Sequence, residues 1–355
     1  MSPTTVSGWM MTAPGVPLEW RSYEVGDLPP GDALVQVAGC GVCHTDVSFL
    51  HMGVKTRAAL PLVLGHEVAG TVLQVGAGVD DSLVGRPVVV PAVLPCGECD
   101  PCRSGHATIC RSQLMPGNDR HGGFATHVVV PARWLCPVPP RVLERHKLWQ
   151  LSVVADAVST PFMSVQRAAV KPGDFALVVG AGGIGIHCVQ VAAAAGAQVV
   201  ALDVDDGKLA QAREFGASAV INVRGMDERA VKDAVRAAAK AVGAPSMRWK
   251  IFETSGTAAG QATAFNSLNH GAYLAIVGFT MDKVEVRLSN LMAFDATVRG
   301  NWGCDPALYP QILEWIADGR LRVAPLVKRY PLAEANAVLD AAHHGGLAER
   351  AVLVP

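Results

Sequence analysis

The residue order predicts an α/β chain made of a β-rich part and a doubly wound parallel sheet. Three observations carry this reading. Short Val-containing runs, broken by Pro and Gly, fill roughly the first 150 residues. From Phe175 to Gly278, strand-like and helix-like segments alternate, as in parallel strands joined by right-handed crossovers. A Gly-rich turn, Gly180-Ala-Gly-Gly-Ile-Gly185, joins the first of those strands to the first helix.

Taken in order, Ala33–Val37, Gly70–Val75 and Pro87–Val90 read as strands. The pattern shifts toward a helix over 151–170, and Lys171-Pro-Gly-Asp174 is a turn. Then come a strand at Phe175–Gly180, a helix at Ile184–Ala195 stopped by Gly196, and a strand at Gln198–Asp203. A helix at Asp206–Phe215 ends at Gly216 and a strand follows at Ala219–Val223. Helices at Arg229–Val242 and Ala258–Asn269 alternate with strands at Trp249–Glu253 and Ala272–Gly278. The last fifty-odd residues hold a helix at Tyr309–Ala317 and the Val-rich end Ala351–Val354. They are expected to rejoin the first part, because a lone tail of that size has no core.

At 355 residues the chain has length for two cores. A formal net charge of −1 gives no general attraction to nucleic acid or an anionic membrane. Aromatic residues at 6% also argue against a base-stacking surface. Met1–Met10 lacks the basic head and apolar core of a leader, and the apolar stretch Phe175–Leu202 is broken by glycines. Nine cysteines, an odd number in metal-like spacings, favour a reducing, cytoplasmic setting over a disulfide framework.

Cys96, Cys99, Cys102 and Cys110 fall within one short stretch, with Pro95, Gly97, Pro101 and Gly105 supplying turns. Thiolates at these intervals converge on one Zn²⁺ in a closed tetrahedral site, which is structural. Two separated knuckles would suit nucleic acid better, and Glu98 and Asp100 would repel phosphate.

A second group is spread along the chain: Cys43 in Gly41-Val-Cys-His-Thr-Asp46, His66 in Leu64-Gly-His-Glu67, and Asp156 at the expected start of a helix. Mixed sulfur, nitrogen and oxygen donors suit a catalytic metal with an open position. Each of these residues alone is more often structural; their joint occurrence with Gly-rich flanks makes the case. Asp46 and Glu67 are candidates to orient or tune the ligands, and Glu67 is counted with the metal group. An ion pair with a nearby arginine is the other reading of Glu67.

The glycine turn matches a dinucleotide fingerprint. Gly180 permits the tight turn, Gly182 lets backbone N–H groups reach a pyrophosphate, and Gly185 allows close helix–strand packing. Gly183, Ile184 and Lys208 belong to the same cofactor set. Asp203, at the end of the next strand, is placed to accept ribose hydroxyls and repel a 2′-phosphate. With Asp205 and Asp206 following and no adjacent Arg, the reading is NAD rather than NADP. Asp205 or Asp206 also reads as a helix N-cap.

Together these residues resemble the zinc-dependent medium-chain alcohol dehydrogenases, over essentially the whole chain. The resemblance implies a GroES-like catalytic domain at 1–157 and 298–355, with a zinc lobe at about 94–112, and a Rossmann NAD-binding domain at 158–297. It implies two zinc ions per chain: a catalytic one on Cys43, His66 and Asp156, and a structural one on the four lobe cysteines. Thr45 matches the hydroxyl that relays the substrate proton, and His44 the residue that contacts the cofactor pyrophosphate. Homodimers or homotetramers are usual for this family. Two departures stand out. Asp156 occupies a place often held by Cys. Ser48 stands where many members carry a relay histidine, and His51, one helical turn on, is the alternative.

Narrower stretches, Met115–Asp119, Lys250–Phe265, Val277–Asp295 and Gly300–Cys304, are similar to one group in that family, the 6-hydroxycyclohex-1-ene-1-carbonyl-CoA dehydrogenases of anaerobic aromatic-acid degradation. That likeness implies a hydroxyacyl-CoA substrate; plain secondary, cyclic or aromatic alcohols are the alternative. Lys55, Arg57 and Arg120 are cations available to a CoA tail, or simply solvated surface charge. Asn118 and Trp302 read equally well as loop-packing residues.

Overall fold

Val-rich runs of the first part pair as strands. The computed structural model describes residues 3–355. Strands β1 (Thr4–Met11), β2 (Glu19–Val25), β3 (Asp32–Gly41), β4 (Leu62–Val63), β5 (Glu67–Val75), β6 (Pro87–Val90), β7 (His127–Pro131) and β8 (Cys136–Pro137) come from the first part of the chain. Six more follow: β9 (Phe175–Val179), β10 (Gln198–Asp203), β11 (Ala219–Asn222), β12 (Lys250–Glu253), β13 (Tyr273–Ile276) and β14 (Thr297–Gly300). The chain closes with β15 (Val327–Pro331) and β16 (Arg350–Val354).

The chain divides into two units. One runs up to Ser159 and takes in Gly303–Asp318 and Val323–Pro355. It holds a small sheet, β2-β1-β4, and a larger one in the order β15-β16-β3-β5-β6-β8. The long strand β3 is shared: Asp32–Gln36 pairs with β7, and Cys40–Gly41 pairs with β16. Inward-facing Val35, Val37, Val68, Val72, Val88 and Val90 pack with Leu339 and Leu353 from the end of the chain. The tail therefore finds its core here.

The other unit comprises Thr160–Trp302 and Gly319–Arg322. Its sheet, β11-β10-β9-β12-β13-β14, is parallel throughout. β9 is buried at every position, as a central strand covered on both faces must be. Helix Glu228–Ala241 buries Val231, Val235 and Ala239 at helical spacing and is capped by Asp227, which accepts from Ala230 N–H. Thr297–Gly300 adds a sixth strand to the parallel sheet, and this unit runs on to Trp302. That strand is exposed at every residue, so no burial pattern marks it in the sequence.

The segment 151–170 is not one helix. A 3-10 run, Leu148–Ala155, stops at Asp156 (φ −141°, ψ −61°), and an α-helix follows at Ser159–Arg167. Asp156 lies in the break, not at a helix start.

Candidate active site

Strand β3 delivers Cys43 two residues beyond its end, at the N-cap of helix His44–His51. The side chain of Asp46 closes that cap: its Oδ2 accepts from the Cys43 N–H at 3.0 Å. Its Oδ1 lies 3.1 Å from the Gly65 N–H and 3.3 Å from His66 Nδ1. One fully buried carboxylate thus fixes both the cysteine and the histidine. A carboxylate on Nδ1 leaves Nε2 of the imidazole to face a metal.

His66 Nε2 is buried and has no hydrogen-bond partner, although Asp156 Oδ2 lies 3.5 Å away. Cys43 Sγ is 3.6 Å from the same oxygen. Bond lengths of about 2.0–2.3 Å place tetrahedral zinc donors roughly 3.3–3.8 Å apart, so these separations fit one ion. Three donors leave a fourth position open. Burial disfavours a charged imidazole, but the Asp46 carboxylate beside it, with Asp156 and Cys43 close by, pushes His66 well above the ordinary histidine range. Acceptors thus face both ring nitrogens, Asp46 at Nδ1 and Asp156 at Nε2, and a cation would satisfy the Nε2 side.

Glu67 falls within 4.8 Å of these donors, yet its carboxylate is committed elsewhere. Arg350 of β16 donates through Nε at 2.9 Å and through Nη2, and Ala157 N–H donates at 3.0 Å. Glu67 thus forms the ion pair with an arginine that the sequence offered as its other reading. The pair is buried. Burial pushes the Glu67 carboxyl up and Arg350 draws it back; Arg350 itself is held above its ordinary value against burial by Glu67. Gly41 makes the approach possible, since a Cβ there would sit 2.0 Å from Glu67 Oε2. Arg350 was missed in the sequence because 283 residues separate it from Glu67.

Thr45 Oγ1 lies 3.7 Å from Cys43 Sγ. His44 is exposed at the start of the same helix. Ser48 and His51 are not brought into the donor group. Ser48 Oγ donates back to the His44 carbonyl at 2.8 Å. His51 stacks on His343 with ring centroids 4.7 Å apart, and its Nε2 is buried without a partner. Burial, then the neighbouring His343, lowers its pKa. Among the loop cations, Arg57 pairs with Asp119 at 3.3 Å and Arg120 with Asp32 at 2.8 Å, while Lys55 is exposed.

The four lobe cysteines converge as their spacing predicts, with sulfur–sulfur distances of 3.4, 3.7 and 3.9 Å for Cys99–Cys102, Cys99–Cys110 and Cys96–Cys102. A tetrahedron of Zn–S bonds has edges of about 3.8 Å. Backbone N–H groups of Glu98 and Cys99 point at Cys96 Sγ and pull that thiol down to about 6.

In the parallel sheet, Gly180 follows β9 at φ +93°, a conformation that favours glycine. A Cβ on Gly185 would lie 1.8 Å from the Gly180 carbonyl, whereas nothing lies within 4 Å of a Cβ on Gly182. The loop thus has one tight contact and one open face, as a backbone cradle for phosphate requires. Gly183 and Ile184 complete the turn into helix Gly185–Ala194. Asp203 Oδ2 accepts from Ala181 N–H at 2.8 Å, which sets its carboxylate beside the loop. Asp205 caps helix Asp206–Glu214 by accepting from Lys208 N–H at 3.0 Å, and the Lys208 side chain is exposed. The fold also supplies a cation the local sequence lacks. Asn222 pairs with Asp203 in register, and Arg224 just beyond donates twice to the Val204 carbonyl, at 2.9 and 2.8 Å.

Comparison with known proteins agrees with this geometry. Residues 29–140 match the alcohol dehydrogenase GroES-like domain, and residues 183–318 match the zinc-binding dehydrogenase family. An alcohol dehydrogenase of Geobacillus stearothermophilus is 30% identical over 340 residues, 95% of each chain. The chain belongs to the zinc-dependent medium-chain alcohol dehydrogenase family. A thermostable alcohol dehydrogenase from Pyrobaculum aerophilum, solved with cobalt and zinc, superposes with a TM-score of 0.84 at 25% identity, covering 99% of this chain and all (100%) of that one. A zinc-binding dehydrogenase structure from Sinorhizobium meliloti, bound to NADP, gives 0.86 at 25% identity with coverage of 99% and 100%. As a medium-chain alcohol dehydrogenase the protein is a zinc- and nicotinamide-dependent oxidoreductase acting on CH–OH groups.

Proposed function

We propose that the protein is an NAD-dependent secondary-alcohol dehydrogenase that oxidises 6-hydroxycyclohex-1-ene-1-carbonyl-CoA to the 6-oxo thioester. The observation that carries the alcohol chemistry is the open donor set of Cys43 Sγ, His66 Nε2 and Asp156 Oδ2, with His66 Nε2 orphaned. Cys43, His66 and Asp156 would hold zinc, which would supply a Lewis acid for the alcohol oxygen, and the glycine loop with Asp203 would hold NAD⁺, which would supply the hydride acceptor. Thr45 Oγ1, 3.7 Å from Cys43 Sγ, would accept the hydroxyl proton while passing its own on through the cofactor ribose toward solvent. Asp46 holds the histidine and cysteine in place, and Glu67 with Arg350 holds the backbone after Asp156. Asp203 orients the adenosine ribose, so NAD⁺ is favoured over NADP⁺.

The acyl-CoA part is supported by the likeness of Met115–Asp119, Lys250–Phe265, Val277–Asp295 and Gly300–Cys304 to that enzyme group. A second reading, a general secondary, cyclic or aromatic alcohol/ketone oxidoreductase, is favoured by one observation. Arg57 and Arg120 are tied to carboxylates, leaving Lys55 as the remaining candidate for a CoA phosphate. An assay of NADH absorbance with the cyclic hydroxyacyl-CoA ester and plain alcohols side by side separates the two. A higher kcat/KM for the ester than for every plain alcohol supports the first reading; the reverse order overturns it.

The same proposal includes self-association as a homodimer or homotetramer in a reducing, cytoplasmic setting. Its support is the exposed edge strand β14 with exposed Leu288, Met292 and Val298 near it in sequence. Sedimentation of the purified chain tests it: a monomer at working concentration would contradict it. No helix among the described residues is long and apolar enough to cross a membrane.

A further inference from the structure

Asp156 stands between two helical runs, so neither helix sets the direction of its side chain. The two peptide planes that flank it are each held from outside. On the C-terminal side, Glu67 Oε1 takes the Ala157 N–H at 3.0 Å. On the N-terminal side, three donor-bearing atoms lie within reach of the Ala155 carbonyl. Ala92 N–H lies at 3.3 Å and Ser159 Oγ at 3.1 Å. The third is the hydroxyl of Tyr309, the first residue of helix Tyr309–Ala317.

Tyr309 is fully buried, and Ser159 Oγ lies 3.1 Å from its hydroxyl. A phenol carries one hydrogen. The arrangement that satisfies both groups sends the Ser159 hydrogen to Tyr309 and the Tyr309 hydrogen to Ala155. The Ala155 carbonyl already has a backbone donor in Ala92, so the phenol is not needed merely to satisfy a buried acceptor. What it adds is direction: a rigid ring, locked in a core, aimed at the plane that carries Asp156 N.

We propose that Tyr309 is a positioning residue for the catalytic-metal carboxylate: its hydroxyl fixes the Ala155–Asp156 peptide and so aims Asp156 at the ion. With the Glu67–Arg350 clamp on the other side, the short oxygen ligand is set from both flanking planes. The inference rests on the reading of Asp156 as a ligand.

The test uses full-length wild type, Tyr309→Phe, Ser159→Ala and Asp156→Ala. Zinc affinity of the exchangeable site is measured by competition with a chromophoric chelator, and ligand geometry by the visible absorption of Co²⁺ placed in that site. Thermal midpoints are read in parallel. Groups that orient metal ligands typically change metal affinity about 10- to 100-fold when removed. Tyr309→Phe is expected to weaken zinc by about that factor and to shift the cobalt bands, with the four-cysteine site unaffected. Ser159→Ala, which leaves the ring in place, is expected to change both in the same direction by less, and it decides the matter should Tyr309→Phe not fold. Wild-type zinc affinity and cobalt bands in Tyr309→Phe overturn the inference even if its thermal midpoint falls. If Asp156→Ala itself binds zinc like wild type, the ligand reading fails instead.

Discussion

Asp46 binds no substrate in this account, yet its two oxygens decide where Cys43 and His66 point. Arg350 has a comparable influence through Glu67. Removing one partner of a buried pair leaves the other charge uncompensated, at a cost of about 3–5 kcal/mol. Arg350→Leu is therefore expected to lose about that much unfolding free energy in urea titration; a loss within experimental error would show that Glu67 sits neutral and unpaired in the fold. On the cofactor side, Asp203→Ala removes the carboxylate that repels a 2′-phosphate, while Arg224 stays at the same end of the sheet. The ratio of kcat/KM for NADP⁺ over NAD⁺ should rise in that variant, and an unchanged ratio would mean that Asp203 only ties the glycine loop. Individual donors were legible in the sequence because the metal chemistry restricts residue type and spacing. The residues that aim them were not. Arg350 and Tyr309 lie 283 and 154 positions from the groups they serve, and no local pattern distinguishes them from other arginines and tyrosines. The vacant relay place shows the same limit: Ser48 turned to its own helix and His51 to His343 are facts of packing.

At the level of elements, legibility followed burial. The alternation from Phe175 onward was readable because central strands such as β9 are apolar at every residue and helices end at glycines. The break at Asp156 was not, since Leu151–Ala155 is buried throughout and nothing in that run marks its end. β14 was missed because an exposed edge needs no apolar alternation. Two loop-flanking histidines predict a pH response. Burial lowers His121 and His127 from the ordinary histidine value of 6.5. His121 Nδ1 also accepts the Val63 N–H at 3.2 Å, which a proton on that nitrogen would displace. A folded-state pKa below the unfolded one means the stabilisation is complete above 6.5 and is lost as pH falls through that value toward the folded pKa. Proton competition for His66 acts in the same direction when metal is bound. Thermal midpoints at saturating zinc should therefore drop as pH is lowered below 6.5, and His121→Asn should flatten part of that slope. A midpoint that rises on acidification would contradict both assignments.

For the whole molecule, the two metal groups differ in what they do. The lobe cysteines form a closed set that ties a loop, so Cys99→Ser should lower the thermal midpoint of the intact protein, because a structural zinc contributes folding free energy. An unchanged midpoint would remove that role. The Cys43, His66 and Asp156 set is open, and its loss should affect turnover while sparing the dinucleotide cradle of the other unit. The most direct test is the zinc content of purified wild type and Cys43→Ser, measured by elemental analysis alongside NADH binding and turnover. Wild type should carry zinc at both donor groups, and the variant should retain only the lobe zinc, bind NADH, and form none from alcohol. A Cys43→Ser protein that keeps the full wild-type zinc content, or that still oxidises alcohol at the wild-type rate, would contradict the account.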